Sequence, residues 1–325
     1  MISVALCTYN GAKFLSEQLK SIADQTLPVD ELVVCDDRSK DNTIEIIRSF
    51  AEKCAFPVHI HVNETNLGST KNFEKCLSLC TGDIIFLCDQ DDKWRPDRVQ
   101  KQADYLNAHP DKDAVFCDAM KMGDDSKPVG STIWEEIEFD SKKQNKWKDG
   151  RAHEILFTGF IVTGATLAIR KSCLQRLMPF PTNVPDLIHD AWMAMVLSLE
   201  GKIDFIPETL IYYRIHSSQQ VGFGNKVDKV QLKDRLNRDR NKKLTPLKEK
   251  GEKLLGMYKL LKALPFVPQE KLVKLDLAQK HFFKRAALPD SRLLRLPFVV
   301  GHVVQGHYKF SSKDWWLPAM GDLLE

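Results

Sequence analysis

Along the first half of the chain, short solid runs of apolar residues alternate with stretches in which apolar residues recur every three or four positions. The runs are Ile2-Ser3-Val4-Ala5-Leu6, Glu31-Leu32-Val33-Val34-Cys35, Val58-His59-Ile60-His61-Val62, Asp83 to Cys88 and Ala114-Val115-Phe116-Cys117. They are short and rich in β-branched residues, which predicts strands. Between them, Phe14, Leu15, Leu19 and Ile22, and then Ile44, Ile46, Ile47 and Phe50, recur at helical spacing. The linking stretches are long enough for crossover helices, so the pattern predicts an α/β fold with a mostly parallel sheet flanked by helices. Residues 120 to 185 are rich in Lys, Asp, Gly and Pro and predict loop in part, before tightening into the run Phe157 to Ile169. From about residue 225 helical pattern dominates, with stops expected at Pro246, Pro265, Pro268, Pro289 and Pro297. The expected organisation is a domain over residues 1–224 and a helical appendage over 225–325.

In parallel sheets ligands gather at the carboxyl ends of the strands, and here those ends are polar. Thr8-Tyr9-Asn10 follows the first strand, Asp36-Asp37-Arg38-Ser39 the second and Asp89-Gln90-Asp91-Asp92 the fourth. Three carboxylates directly after an apolar strand repel one another unless their pKa values rise or a divalent cation neutralises them, and oxygen ligands suit Mg²⁺ or Mn²⁺. The competing reading is the first turn of a helix, since Pro96-Asp97 resembles a helix start that favours nearby acids.

Bulk composition narrows the class. With 325 residues, 43% of them apolar, the chain can bury a large core. Of the eight cysteines, Cys7, Cys35, Cys88 and Cys117 lie in strand-like runs where Cys packs as a small hydrophobe, and no Cys/His spacing fits zinc. The N-terminus lacks the basic and apolar regions of a cleavable signal, so cytoplasmic residence is expected. The net charge of +3 conceals a division: residues 225–325 hold 22 basic against 11 acidic side chains, a net +11, whereas residues 1–224 net −8. Such a tail suits an anionic membrane or phosphate-bearing substrates, or is simply a solvated face. No run reaches the ~18 apolar residues of a spanning helix. The segment Leu293 to Val304, with Trp315 and Trp316 beyond it, reads either as an interfacial element at the inner membrane face or as a docked terminal helix. No nucleic-acid recognition motif accompanies the positive tail, and nucleic-acid binding is not expected.

Taken together, Thr8-Tyr9-Asn10, Val34 to Thr43, Asn66-Leu67-Gly68 with Lys71-Asn72, Asp89-Gln90-Asp91-Asp92 and His189-Asp190-Ala191-Trp192 resemble the family-2 inverting glycosyltransferases of the GT-A fold, a Rossmann-like architecture. The resemblance covers about residues 1 to 222. The stretch Ile211 to Gly222 is similar to the segment that closes the catalytic domain in the rhamnosyltransferase-like branch. Where the family has Gly, this chain has Arg38, a departure that bears on the backbone after the aspartate pair.

The resemblance implies a UDP- or dTDP-sugar donor, dTDP-rhamnose among the candidates, a saccharide or lipid-linked saccharide acceptor and a divalent metal. It implies that Asp89 contacts ribose or metal, that Asp91 holds the metal, and that His216 contacts metal or diphosphate; a lone His is also often structural. Tyr9 offers an aromatic face to a pyrimidine and Thr8 a polar group, and Asp36 or Asp37 can accept the base N3–H, although Asp at this point is also a turn or cap residue. Lys71 either reaches the base or diphosphate or is an exposed helical Lys. Asp190 is the expected general base, which an acceptor hydroxyl needs at neutral pH, with helix capping as the plainer role. Near the sugar and acceptor the resemblance places Thr163 and Gly164, His189, which orients Asp190 or packs beside it, and Trp192. Asp92 is counted with them, or only shapes its loop.

Two other classes compete. A nucleotidyltransferase would share the fold and the metal but carry a Gly-rich basic loop near the first strand, which Thr8-Tyr9-Asn10-Gly11-Ala12 is not. A noncatalytic nucleotide-sugar-binding protein would not need Asp190.

Overall fold

The computed structural model describes residues 1–216, 240–311 and 314–324; of residues 240–243 it describes the backbone alone. Ser217 to Gly222, part of the branch resemblance, lie outside them. The chain divides into two compact units, one made of Met1–Thr182 and Asp186–Phe223, the other of Asn183–Pro185 and Gly224–Glu325.

The first unit is built on one sheet. Its strands are β1 (Ile2–Thr8), β2 (Glu31–Asp36), β3 (Val58–Val62), β4 (Ile84–Cys88), β5 (Lys93–Trp94), β6 (Ala114–Met122), β7 (Pro128–Thr132), β8 (Ala168–Arg170) and β9 (Ile203–Arg214). They lie in the order β3-β2-β1-β4-β8-β6-β9-β5, with β7 on β6. The long ladders are parallel, β1 with β2 and β4, β2 with β3, and β6 with β9. The short ones, β4 with β8, β6 with β8 and β7, and β5 with β9, are antiparallel. Strands β1, β2 and β4 are buried almost throughout, which is why they read as solid apolar runs.

The helices α1 (Leu15–Ala23), α2 (Thr43–Ala51), α3 (Ser69–Leu79) and α4 (Arg98–Ala108) supply the crossovers. Leu15, Leu19 and Ile22 of α1 and Ile47 of α2 are fully buried or nearly so, as their spacing required. The stretch 120–185 differs from a plain loop. It carries the short helices Ile133–Glu136, Ser141–Lys146 and Ala152–Leu156, and it inserts Trp134, Phe139 and Trp147 against Phe116 and Phe205 at ring separations of 5.1–6.3 Å. Isolated aromatics in a polar stretch carry no period, so only the fold reveals this cluster.

The second unit contains the helices Arg240–Lys262, Val273–Ala286, Arg292–Val304 and Trp316–Leu324. Pro246 and Pro297, expected as stops, lie inside two of them. A proline forfeits only one intrahelical bond, and the carbonyl that Pro297 leaves unbonded belongs to Leu293, 83% exposed, where water can serve it. Val299, Tyr308 and Ala319 form a small core with Phe298, Val303 and Leu323 around it. Asp322, fully buried, takes two bonds from Arg285 (2.6 and 3.1 Å) and one from the Tyr308 hydroxyl (2.7 Å). Burial, with Arg285 and neighbouring imidazoles, pushes His281 down to about 2, and burial with His307 pushes His302 down to about 4. Trp315 and Trp316 stay at the surface, 39% and 51% exposed, while the terminal helix Trp316–Leu324 docks through Ala319, Asp322 and Leu323 instead. No described helix is long and apolar enough to cross a membrane.

Candidate active site

The ends of β1, β2 and β4 converge as parallel strands must, and side-chain bonds fix their loops to one another. Gln90 clasps Tyr9 in both directions: its Oε1 accepts from the Tyr9 N–H (2.8 Å) and its Nε2 donates to the Tyr9 carbonyl (3.1 Å). Asp36 accepts from the Thr8 hydroxyl (2.7 Å) and from both the N–H (2.8 Å) and hydroxyl (2.6 Å) of Ser39. Asp37 gathers the Asn66-Leu67-Gly68 turn, accepting from Leu67 N–H (2.7 Å), Gly68 N–H (2.9 Å) and the Asn63 amide (2.8 Å). Arg38 has φ +68°, so the chain takes, without glycine, the left-handed conformation that glycine would take there.

These loops wall a cleft of about 410 Å³ whose lining includes Thr8, Tyr9, Asp37, Asn66, Asp89, Asp91, Thr163, His189, Asp190 and His216. Asp91 Oδ2 lies 2.9 Å from His216 Nε2, and the His216 ring packs on Phe14 at 5.0 Å. Burial, reinforced by the Asp91 and Asp190 charges, pushes Asp89 up to about 7. A carboxyl held there binds a proton or a cation. Asp89, Asp91 and the His216 imidazole line the same cleft, and carboxylate oxygens are the donors that Mg²⁺ and Mn²⁺ prefer.

Asp190 sits in the first turn of the helix His189–Glu200. Its Oδ2 accepts from the Gly164 N–H (2.8 Å) and its Oδ1 from the Ala191 N–H (2.6 Å), which fixes the orientation of the carboxylate. His189 is buried, stacked on Phe73 at 4.1 Å, and among the described residues neither ring nitrogen has a hydrogen-bond partner. Burial lowers its pKa, so it enters the cleft wall as a neutral ring. Gly164 packs so closely that a Cβ there would lie 3.0 Å from His189 Nε2.

Several expected residues are placed elsewhere. Asp92 is fully buried, with Oδ1 accepting from the Arg214 N–H (2.9 Å), and it does not line the cleft. Burial and the Asp91 and Asp89 charges raise its pKa well above the usual carboxylate range. It shapes its loop and does not face a sugar. Trp192 is likewise inside the core, its indole N–H bonded to the Leu177 carbonyl at 2.8 Å, because its helix is buried nearly all round. Lys71 pairs with both oxygens of Glu74 at 2.9 Å, one turn along α3, and is not part of the lining. Asp36 is held by Thr8 and Ser39 and Asp37 by Asn63, Leu67 and Gly68, and of the pair Asp37 alone lines the cleft.

Arg214 is the residue that sequence reasoning missed. Fully buried, it donates to the Asp91 carbonyl (2.7 Å), the Gly123 carbonyl (2.9 Å), Ser126 Oγ (3.0 Å) and Glu17 (2.6 Å), and lies over the Phe14 ring at 4.3 Å. It holds the acidic turn to β9. An arginine ending an apolar strand was the available signal, since a buried guanidinium must find several acceptors.

The glycosyl transferase family 2 profile matches residues 3–178, more than half of the chain. This protein belongs to glycosyltransferase family 2. An uncharacterized protein of Mycobacterium tuberculosis is 29% identical over 221 residues, covering 66% of this chain and 59% of that protein. An uncharacterized glycosyltransferase of Nostoc is 27% identical over 221 residues, 67% of this chain and 65% of its own. The match thus spans less than two thirds of these relatives' length. The Salmonella typhimurium abequosyltransferase is 32% identical over 128 residues, 38% of each chain. Among solved structures, the mannosyltransferase PcManGT from Pyrobaculum calidifontis, in complex with GDP-Man and Mn²⁺, superposes with a TM-score of 0.55 over 99% of this chain and 83% of that one at 18% identity. S. aureus TarS 1-349 in complex with UDP-GlcNAc gives 0.52 over 99% and 80%, also at 18% identity. These likenesses show the GT-A fold.

Proposed function

We propose that this family-2 chain is an inverting glycosyltransferase that moves a sugar from a UDP- or dTDP-sugar to a hydroxyl of a glycan or lipid-linked saccharide. The carrying observation is that one cleft is lined both by Asp89 and Asp91 at the end of β4 and by Asp190, whose carboxylate is aimed by two backbone N–H groups. Tyr9 and Asp37 would take the pyrimidine. Asp89, Asp91 and His216 would hold a Mn²⁺ or Mg²⁺ ion, which when bound supplies Lewis-acid stabilisation of the leaving diphosphate. Asp190 Oδ would accept the acceptor hydroxyl's proton as that oxygen attacks the anomeric carbon. The uncharged His189 ring and Gly164 keep that carboxylate in place. A uridine donor is supported by the UDP-GlcNAc complex of TarS, and a deoxysugar such as the rhamnose of dTDP-rhamnose by the matched abequosyltransferase and by the branch-like stretch from Ile211. The basic 225–325 region would bring the enzyme to an anionic membrane face carrying a lipid-linked acceptor.

The test has two arms. UDP, dTDP, GDP and CMP are compared for stabilisation against heat with and without Mn²⁺, and only pyrimidine diphosphates with metal should raise the melting temperature. Asp190→Asn should keep that stabilisation while lowering transfer by roughly 10²- to 10⁴-fold. Transfer at the normal rate would remove Asp190 as the base, and stabilisation by GDP alone would overturn the donor class.

A further inference from the structure

The second unit holds a cluster of ligand-type side chains that the reading above does not use. His281 comes from the helix Val273–Ala286, His302 from the helix Arg292–Val304, and His307 opens the short turn His307–Phe310. One ring nitrogen from each lies within 4.8 Å of the others. The Nδ1 atoms of His281 and His302 are 2.7 Å apart, and the His307 ring meets that of His302 edge-on at 4.8 Å between centroids. Among the described residues His307 Nδ1 is buried without a hydrogen-bond partner, an arrangement that costs free energy unless something binds it.

An outer partner is also present. His281 Nε2 lies 3.3 Å from Ser311 Oγ, which accepts from Arg285 (2.8 Å), itself anchored by Asp322. In the tautomer whose Nε2–H donates to that hydroxyl, His281 presents the Nδ1 lone pair to the cluster, the arrangement usual for ligating histidines. Neutral imidazoles without a carboxylate select a borderline cation over Mg²⁺ or Mn²⁺.

We propose that His281, His302 and His307 form a zinc site, bound through Nδ1 of the first two and a ring nitrogen of the third, with a fourth position open to solvent beside the half-buried His307. Zn–N bonds of about 2.0–2.1 Å in a tetrahedron put neighbouring ligand atoms roughly 3.3 Å apart. The two Nδ1 atoms therefore part by about half an ångström on binding, a small swing of two side chains. The ion replaces their mutual hydrogen bond, satisfies His307 and ties together three successive elements of a unit whose apolar core is small.

The experiment uses the full-length chain without an affinity tag, stripped of metal and titrated with Co²⁺ and then Zn²⁺ in excess Mg²⁺, which occupies oxygen-rich sites. One equivalent of Co²⁺ should develop the intense visible absorption of a four-coordinate nitrogen site, and Zn²⁺ should abolish it. Zn²⁺ should raise the melting temperature of the wild type but not of His307→Gln. That variant should bind Co²⁺ more weakly by more than the roughly 10- to 100-fold that losing an outer partner costs. A weak six-coordinate spectrum in the wild type overturns the proposal, and so does an unchanged spectrum in H307Q. Should H307Q not fold, the wild-type cobalt spectrum decides alone. None of these readouts depends on sugar transfer.

Discussion

Gly164→Ala isolates how tightly the proposed base is held. The added Cβ would lie 3.0 Å from His189 Nε2 and 3.4 Å from the Asp190 Cβ and Oδ2, where ordinary contact begins near 3.4 Å, so the imidazole must retreat by a few tenths of an ångström. It has little room: its other face stacks on Phe73 at 4.1 Å, and Phe73 is itself 2% exposed. The strain then passes to Asp190, through the bond from Gly164 N–H. Overpacking of this kind costs about 1–3 kcal/mol. For a fold of this size that corresponds to a melting temperature lower by roughly 2–12 °C. A 1 Å misplacement costs about 100-fold in rate, so a few tenths of an ångström should lower kcat roughly 4- to 6-fold. Thermal melting and steady-state release of nucleoside diphosphate at saturating donor measure both effects. Gly159→Ala is the control, since a Cβ there meets nothing within 4 Å and should shift stability by no more than about 0.5 kcal/mol. Wild-type melting and turnover in G164A, or equal damage in G159A, would refute the packing argument.

Three further outcomes follow from the same site. Arg214→Met removes bonds to Asp91, Gly123, Ser126 and Glu17 and should destabilise by about 2–4 kcal/mol in denaturant, the ion-pair share being reduced because Glu17 is partly exposed; a loss below about 1 kcal/mol would mean that Arg214 does not pin the acidic turn. Asp89 titrates near 7 when folded and near about 4 when unfolded, so the folded state holds the extra proton between them and the metal-free protein should lose stability as pH rises from about 4 to 7; denaturation in EDTA at several pH values should show that slope, and Asp89→Asn should reduce it, the remainder coming from Asp92, whose pKa is also raised. Arg38→Gly relieves a left-handed residue at the cost of chain entropy and should raise stability by about 0.5–1 kcal/mol, whereas a loss would show that the Arg38 side chain has a role of its own.

Much of the sheet was legible because β1, β2 and β4 are buried on both faces, and β3, though partly exposed, keeps a β-branched run. The run Val58–Val62 is a strand as expected, Ile2 to Leu6 extends only to Thr8, and Ala114 to Cys117 extends to Met122. The polar strand ends were legible for the same reason, since parallel strands deliver their carboxyl ends to one edge. What the sequence hid was which oxygen points where. Asp36 and Asp37 are neighbours of identical chemistry, both held by hydrogen bonds within the loops, yet only Asp37 lines the cleft. Asp91 and Asp92 divide likewise, and alternation alone does not say which of two adjacent acids turns inward. Arg214 escaped because its acceptors are mostly carbonyls from distant segments, which carry no residue signature.

Strand β9 carries one more consequence. Against β6 its pairing starts with Ala114 opposite Ile203 and ends with Met122 opposite Arg214, the register shifting on either side of Asp118, where exposed Pro207 and Glu208 bulge outward. β9 thus spends three more residues than β6 over the same span, an odd number, and the bulge reverses which face its later residues present. The site therefore depends on parity as well as on identity. Removing one residue between Ile206 and Leu210 would send Arg214 to the wrong side of the sheet and shift Tyr213 of the cleft lining with it, without changing the identity of any cleft residue, whereas removing two would leave Arg214 facing Asp91. A scan of deletions would see this hinge of chain length where a scan of substitutions would pass over Pro207 and Glu208 as surface residues.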